Sequence, residues 1–483
     1  MILAFDLGGS SLRAALVDAR GDIRHMVSAP HSSSHSTEAD PAAWWAALLL
    51  ATDRLAAEPE FAHVKAIAIA AFTRTQVLID ADGNALCAAP LWHDTRAEAV
   101  LARLRALLPA DHPELATVNA YHPMARLFHM AQQPGGLPDA LTFVVEPKDY
   151  LNARLTGRIA TDSLASARLI AASGSLLAAA GLPTRIVPPV LAPTAILAPV
   201  QPGLPGALAR LAGVPVLAMA HDSWASVIGL GALRPGYAYN LSGTTEVFGV
   251  MSPHPAQAEG LLTLAWGEGL QQIGGPSTTG SDSLAWLLEL LAQKQANAAI
   301  SPALNAWLDQ PRHPQPVLFL PYLQGERTPY WDPSLRGALI GLHRRHGPTD
   351  LAWAVMEGVA FLNRIVLERA EAAVGQTVHE IRFGGGGAGN ARWCQIKADV
   401  MRRDVVVVEQ TESGLLGAAV AAFTALGSFA DLSDAQTHMV RTRAVFSPQP
   451  EQAAFYERLW RQYRAAEAAL APISHQLAAM EMA

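Results

Sequence analysis

Twice in this 483-residue chain a short apolar run ends in a small-residue turn, and a second apolar run follows with no helix between. The first instance is Ile2 to Leu7, Gly8-Gly9-Ser10-Ser11, then Leu12 to Asp18; a third run, Ile23 to Ser28, follows the Gly21-Asp22 turn. The second is Tyr237 to Leu241, the Ser242 to Thr245 turn, and Glu246 to Met251. Strand, tight turn, strand is a meander. It excludes a P-loop or a Rossmann fingerprint, because in both of those the glycines open directly into a helix. Two such units predict a duplicated α/β architecture with a cleft between the halves. The joint Leu233-Arg234-Pro235-Gly236 separates them, giving domains at 1–235 and 236–483. At roughly 150 residues per domain, the length is sufficient for two or three.

Between the meanders, apolar periodicity predicts helices over 42–55, 97–108, 351–374, 391–401, 414–426 and 452–470, with a frayed tail beyond Ser474. Val64 to Ala71, a continuous apolar run after Lys65, reads as a buried strand, and Val77 to Asp80 with Asp82-Gly83-Asn84 reads as a hairpin. The composition is 51% hydrophobic and 16% charged, which is that of a globular protein rather than a disordered one. A net charge of −7 without a long basic run excludes a nucleic-acid binder that works by phosphate neutralisation. Cys87 and Cys394 lie too far apart in sequence for a disulfide framework or a zinc pattern, as expected of a reducing compartment. The N-terminus reaches Asp6 without a basic region, so no signal peptide is expected. No uncharged apolar run approaches the roughly 18 residues of a spanning helix, and a cytoplasmic location is the expectation.

Several polar clusters stand where strands end. Asp222 follows the apolar run Val214 to Met219 and precedes a small-residue segment, Val227 to Ala232, that reads as a helix start. A carboxylate at such a junction is well placed for catalysis in an α/β fold. In Gly8 to Ser11, backbone N–H groups of a tight turn can converge on a phosphate, although an ordinary hairpin turn has the same composition. Asp6 beside that turn suits Mg²⁺ held through water. Thr73-Arg74 ends the 64–71 strand, and Trp92 and Asp94 precede the helix over 97–108; either cluster could line a cleft or form a surface loop. The tract Gly384 to Asn390 lies between a strand and a helix, where a nucleotide can lie against backbone.

Taken in order, these landmarks resemble the FGGY carbohydrate kinases of the actin-like ATPase clan. The resemblance rests on Asp6 to Arg13, Ala220-His221-Asp222, Leu241 to Thr245 and Gly384 to Asn390. Its most specific stretch is Gly337 to Leu342, continued by Asp350-Leu351 and Ala354 to Glu357. Gly-Glu-Arg-Thr-Pro at 325–329 is most similar to xylulokinases, and Tyr330 to Pro333 to glycerol kinases. The family implies two ribonuclease-H-like domains, an N-terminal sugar-binding one and a C-terminal nucleotide-binding one, with ATP in the interdomain cleft. It implies Asp222 as general base, and Asp6 and Asp222 around Mg²⁺. ATP contacts fall on Gly8, Gly9, Ser10, Ser11 and Arg13, on Gly243, Thr244 and Thr245, and on Gly385, Gly386, Gly387, Ala388 and Asn390. Thr73, Arg74, Trp92, Tyr121 and Asp222 fall at the sugar. Implied partners are a small sugar or polyol and ATP, with no nucleic acid and no membrane; a homodimer is one allowed assembly.

The chain also departs from the pattern. Gly9 stands where many members have threonine, Thr73-Arg74 where xylulokinases have methionine–histidine, and Ser223 where they have asparagine. His221-Asp222 is more like rhamnulokinases and fuculokinases. The expected substrate is a ketopentose such as xylulose. The alternatives are glycerol, a tetritol or a deoxyketohexose such as rhamnulose or fuculose. A non-catalytic ATP- or sugar-binding regulator is the rival from another class.

Overall fold

The apolar run at the start of the chain becomes a central strand, and the first sheet grows outward from it. A computed structural model describes residues 1–31, 37–291, 299 and 301–480. It forms two compact units, Met1–Gly229 with Glu412–Val440, and Leu230–Thr411 with Arg441–Ala483. In the first unit, Ile2–Leu7, Ser11–Val17 and Ile23–Pro30 form an antiparallel meander. Ala66–Ala71 pairs parallel to Ile2–Leu7, and Pro215–Leu217 parallel to Ala66–Ala71. Ile196–Pro199 closes that edge antiparallel. Every residue of Ile2–Leu7 and Ala66–Ala71 is buried, because helices cover both faces; this is why neither run alternates.

One face is covered by helix Pro41–Leu55, which buries Trp44, Leu48, Ala51 and Leu55. Asp40 caps it by accepting the Ala42 N–H at 2.9 Å. The other face is covered by helix Ser413–Ala425, which packs on Ile2–Leu7 and Ala66–Ala71 and against helix Asp222–Gly229. The two helices touch through glycines. A Cβ on Gly417 would stand 1.7 Å from the Ala225 carbonyl oxygen, and one on Gly229 1.9 Å from that of Ser413. Chain order assigns residues 412–440 to the second half, yet they complete the first unit. The physical reason is this glycine-to-glycine seam, which only a small-residue helix can make.

The second unit repeats the plan. Leu270–Pro276, Glu246–Ser252 and Tyr237–Ser242 run antiparallel, and Glu380–Gly385 and Asp404–Val408 continue the sheet in parallel. Leu262–Gly267 and Thr442–Phe446 form its edges. The order of three antiparallel strands followed by two parallel ones is that of the first unit. Helix Pro348–Val374 packs on this sheet and on helix Ala391–Met401.

Three local readings change. Val77–Ile79 pairs mainly with Phe143–Val145, and the expected hairpin is reduced to a single bridge, Ile79 to Ala85. The helix over 97–108 is a 3₁₀ turn, Arg96–Val100, followed by α-helix Leu101–Leu107. The last helix runs from Pro450 to Met480, straight through Pro472, with Glu467 and Ser474 on its buried side. Among the described residues no helix is long and apolar enough to cross a membrane.

Candidate active site

Strand Pro215–Leu217 leads into Met219, whose φ of 57° is left-handed, and the chain turns sharply. His221 bridges to Ala71 at the end of the neighbouring strand. Helix Asp222–Gly229 begins at once, five residues earlier than the small-residue segment suggested. The cap explains the difference: His221 Nδ1 accepts the Trp224 N–H at 3.1 Å. An imidazole that accepts there must be neutral at Nδ1, and burial, the largest influence, lowers the His221 pKa to about 4. Asp222 is half-buried in the first helical turn. Its pKa is raised to about 6, first by burial and then by the charge of Asp6; bonds from Ser223 N–H (2.6 Å) and Oγ (3.1 Å) oppose the rise.

Asp6 stands opposite Arg13 in the meander register, and Arg13 Nη2 lies 3.3 Å from Asp6 Oδ2. Arg13 also pairs with Glu412, a residue the sequence reading missed. Burial raises the Asp6 pKa, Arg13 lowers it, and Glu412 raises it. A Cβ on Gly414 would come within 2.9 Å of Asp6 Oδ2, so the small-residue helix also makes room for this carboxylate. Asp6 and Asp222 together are a hard-oxygen pair that raises proton affinity in the absence of a cation, a donor set that fits Mg²⁺. Gly8 N–H donates to Ser11 O at 3.0 Å, and the His31 ring holds Gly8 O at 2.9 Å. A Cβ on Gly9 would meet nothing within 4 Å, so nothing steric demands glycine there.

Of the residues expected at the sugar, Arg74 and Trp92 come together through their backbones. Arg126, on helix Pro123–Ala131, donates from one guanidinium to the carbonyls of Arg74, Leu91 (2.9 Å), Trp92 (3.0 Å) and Asp94 (3.1 Å). Arg74 is exposed and adopts a left-handed φ of 61°. Its charge is one of the lesser influences that lower the His221 pKa, after burial. Thr73 is half-buried in the same loop. Trp92 is 49% and Tyr121 37% exposed, high values for aromatic side chains. Tyr121 lies just before the helix that carries Arg126.

Beneath these loops is a buried ionic cluster. Lys148 Nζ lies 2.5 Å from Asp149 and 2.8 Å from Asp162, and donates to the Ala218 carbonyl at 3.2 Å. Asn152 also reaches Ala218 O, at 3.2 Å. The cluster therefore pins the segment that leads into Asp222. Burial raises the Glu146 carboxyl to about 8 beside it. The sequence marked Lys148-Asp149 only as a helix start and Thr161 to Ser166 only as a cap. The unused signal was three charged residues next to a buried strand end.

In the second unit the turn Gly243 to Thr245 is closed by Gly243 N–H to Thr245 O at 2.9 Å. Its other carbonyls are taken by Ser281 N–H (3.2 Å, to Gly243 O) and Asp282 N–H (3.1 Å, to Thr244 O). Ser242 pairs in register with Gly385. Gly385 has φ 83°, and a Cβ there would stand 2.2 Å from Ser242 O, so glycine is required. Gly386 is exposed, while Gly387 and Ala388 are buried against the strand. Asn390 is 4% exposed; its amide donates to Ala299 O (2.8 Å) and Asn305 Oδ1 (3.0 Å), and its Oδ1 caps helix Ala391–Met401 at Trp393 N–H (3.1 Å). Its side chain thus shapes the tract from within.

Residues 1–229 match the N-terminal domain of the FGGY family of carbohydrate kinases, and residues 238–426 match that family's C-terminal domain. The chain belongs to the FGGY family. It is therefore an ATP-dependent sugar kinase, and its two sheet-rich units have the actin-like ATPase fold. It is 28% identical over 419 residues to xylulose kinase from Escherichia coli (strain K12), covering 83% of this chain and 84% of that protein. It is 26% identical over 482 residues to gluconokinase from Bacillus licheniformis, covering 95% and 94%. The crystal structure of xylulose kinase from Rhodospirillum rubrum is similar at a TM-score of 0.83 and 27% identity, over 98% of this chain and 99% of that one.

Proposed function

We propose that this FGGY kinase transfers the γ-phosphoryl group of ATP to a hydroxyl of a ketopentose such as xylulose, with Asp222 as general base. The observation that carries the chemistry is the Asp222 carboxylate, half-buried and raised to about 6, a value poised for proton transfer near neutrality. The ketopentose is supported by likeness to xylulose kinases. A second reading, an aldonate, is favoured by the likeness to a gluconokinase over 95% of the chain.

In this reading Asp222 accepts the proton of the attacking hydroxyl as the O–P bond forms. Thr73, Arg74, Trp92 and Tyr121 bind and orient the sugar. In the first unit, Gly8 to Ser11 offer N–H groups to phosphate, and Arg13 holds Asp6. In the second, Gly243 to Thr245 serve phosphate and Gly385 to Ala388 the adenosine, with Asn390 as the internal brace of that tract. Asp6 and Asp222 would hold Mg²⁺, which when bound neutralises phosphate charge. The cytoplasm, as the ATP-rich compartment, is the proposed location.

The test is ADP release with ATP and Mg²⁺ over ketopentoses, deoxyketohexoses, aldonates, glycerol and tetritols. The highest kcat/KM is expected with a ketopentose. A higher value with gluconate would replace the ketopentose by the second reading, and sugar-independent turnover or none would remove the kinase mechanism. Arg74→Ala is expected to raise the KM for the sugar about 10–100-fold, the loss of one charge-assisted hydrogen bond, and to leave the KM for ATP unchanged. An equal rise in both would take Arg74 out of the pocket.

A further inference from the structure

Arg126 is only 2% exposed, so it is screened from any ligand, yet it bonds to both loops that carry the proposed sugar contacts. Its neighbours on the helix, Met124, Ala125, Leu127 and Phe128, are buried apolar residues. The guanidinium makes no salt bridge among the described residues, although the charges of Asp94 and Glu146 favour its protonated form. It is held instead by the carbonyls of Arg74, Leu91, Trp92 and Asp94 and by Gln76 Oε1 at 3.3 Å. A buried cation is costly unless its donors are filled; these five acceptors fill Nη1 and Nη2 while the buried Nε has no partner among the described residues, so losing any of the five adds to that cost. The planar fork fixes their mutual spacing, which an ammonium on a flexible stem cannot do. Arg74 moreover keeps a left-handed φ of 61°, a conformation that persists in a side-chain-bearing residue only when its surroundings impose it.

We propose that Arg126 is a positioning residue that sets the spacing between Arg74 and Trp92 before the sugar arrives, and so determines how tightly this kinase holds its sugar. Binding then orders less of the protein, which improves affinity without a new contact. The inference rests on the assignment of Arg74 and Trp92 to the sugar. Its test therefore has one arm that needs no sugar.

In the first arm, hydrogen–deuterium exchange is followed on the full chain without ligand, for the native protein, Arg126→Lys and Arg126→Gln. Exchange is expected to accelerate about tenfold or more at 73–76 and 91–95, and protection of Ile2–Leu7 and Ala66–Ala71 to stay unchanged. In the second, kinetics use whichever sugar of the panel is turned over fastest. Arg126→Lys is expected to raise the sugar KM about 10–100-fold with the ATP KM within about twofold. Gln76→Met, which removes one acceptor, is expected to give a smaller change of the same kind. Unchanged exchange in the two loops of Arg126→Lys overturns the proposal. So does exchange that rises throughout the first unit, a KM for ATP that rises with that for the sugar, or a lysine variant that does not fold, since each makes Arg126 a general element of the fold or no element of the site. If the native protein phosphorylates no sugar, the functional reading fails while the exchange arm still decides the clamp.

Discussion

Asp222→Ala is expected to lower kcat for phosphoryl transfer about 10²–10⁴-fold with a much smaller change in ATP affinity, because it removes the general base, touches no nucleotide directly and leaves Asp6 to hold the metal. Asp222→Asn should behave alike, since an amide fills the space without accepting the proton. The pH profile supplies an independent check. The base works only as carboxylate, and burial with the Asp6 charge sets its pKa at about 6. Below that value kcat/KM should fall about tenfold per pH unit, and above about 7 it should be flat with respect to this group. Asp6→Asn removes the charge that helps raise Asp222, so the acid limb should move to lower pH even as activity drops. Half or more of the native activity in Asp222→Ala, or an acid limb that Asp6→Asn leaves in place, would take Asp222 out of the proton transfer.

The second large effect concerns stability rather than chemistry. Lys397→Ala is expected to destabilise the second unit by about 3–5 kcal/mol, the cost of leaving a buried charge without its partner. Lys397 is 0% exposed, and its ammonium donates to Asn240 Oδ1 (2.8 Å), Asn363 Oδ1 (2.5 Å) and Glu246 (3.0 and 3.1 Å). Its cation also lies 4.9 Å from the Phe383 ring centroid and 5.1 Å from that of Trp393. Removing it strands Glu246, itself 0% exposed and left, among the described residues, with one side-chain donor, Asn240 Nδ2 at 3.2 Å. Glu246→Gln combined with Lys397→Met should recover a large part of the loss, since no uncompensated charge then stays buried. Urea denaturation of the three proteins measures this. A loss below about 1 kcal/mol in Lys397→Ala, or no recovery in the double variant, would mean that the pair is not what holds these strands and helices together.

Much of the scaffold could be read from residues alone. Ile2 to Leu7 and the run after Lys65 were legible because a strand buried on both faces leaves an apolar trace without alternation, broken in the first only by Asp6 near its end. Asp222 was legible as a carboxylate where such a run ends. The start of its helix was not, because the cap is a histidine ring rather than one of the short polar side chains that usually mark that position. The helix over 414–426 was legible as one that packs closely, but small residues do not say against what. Its partner, Gly229, lies far back in the chain. Arg126 left little trace, since an arginine within an apolar helical stretch ordinarily points to water. Lys397 was equally silent, because Asn240, Glu246 and Asn363 converge on it only after the sheet and two helices have formed.

The return of residues 412–440 to the first unit also sets a timetable for biosynthesis. The face of the first sheet that helix Ser413–Ala425 covers stays bare until the ribosome has made all of 230–411. At roughly 5–20 residues per second that interval is on the order of 10–40 s. During it the fully buried strands Ile2–Leu7 and Ala66–Ala71 have only one helical layer. The nascent chain is then a half-covered sheet, open to chaperones and to other nascent chains for as long as most of the second unit is being made.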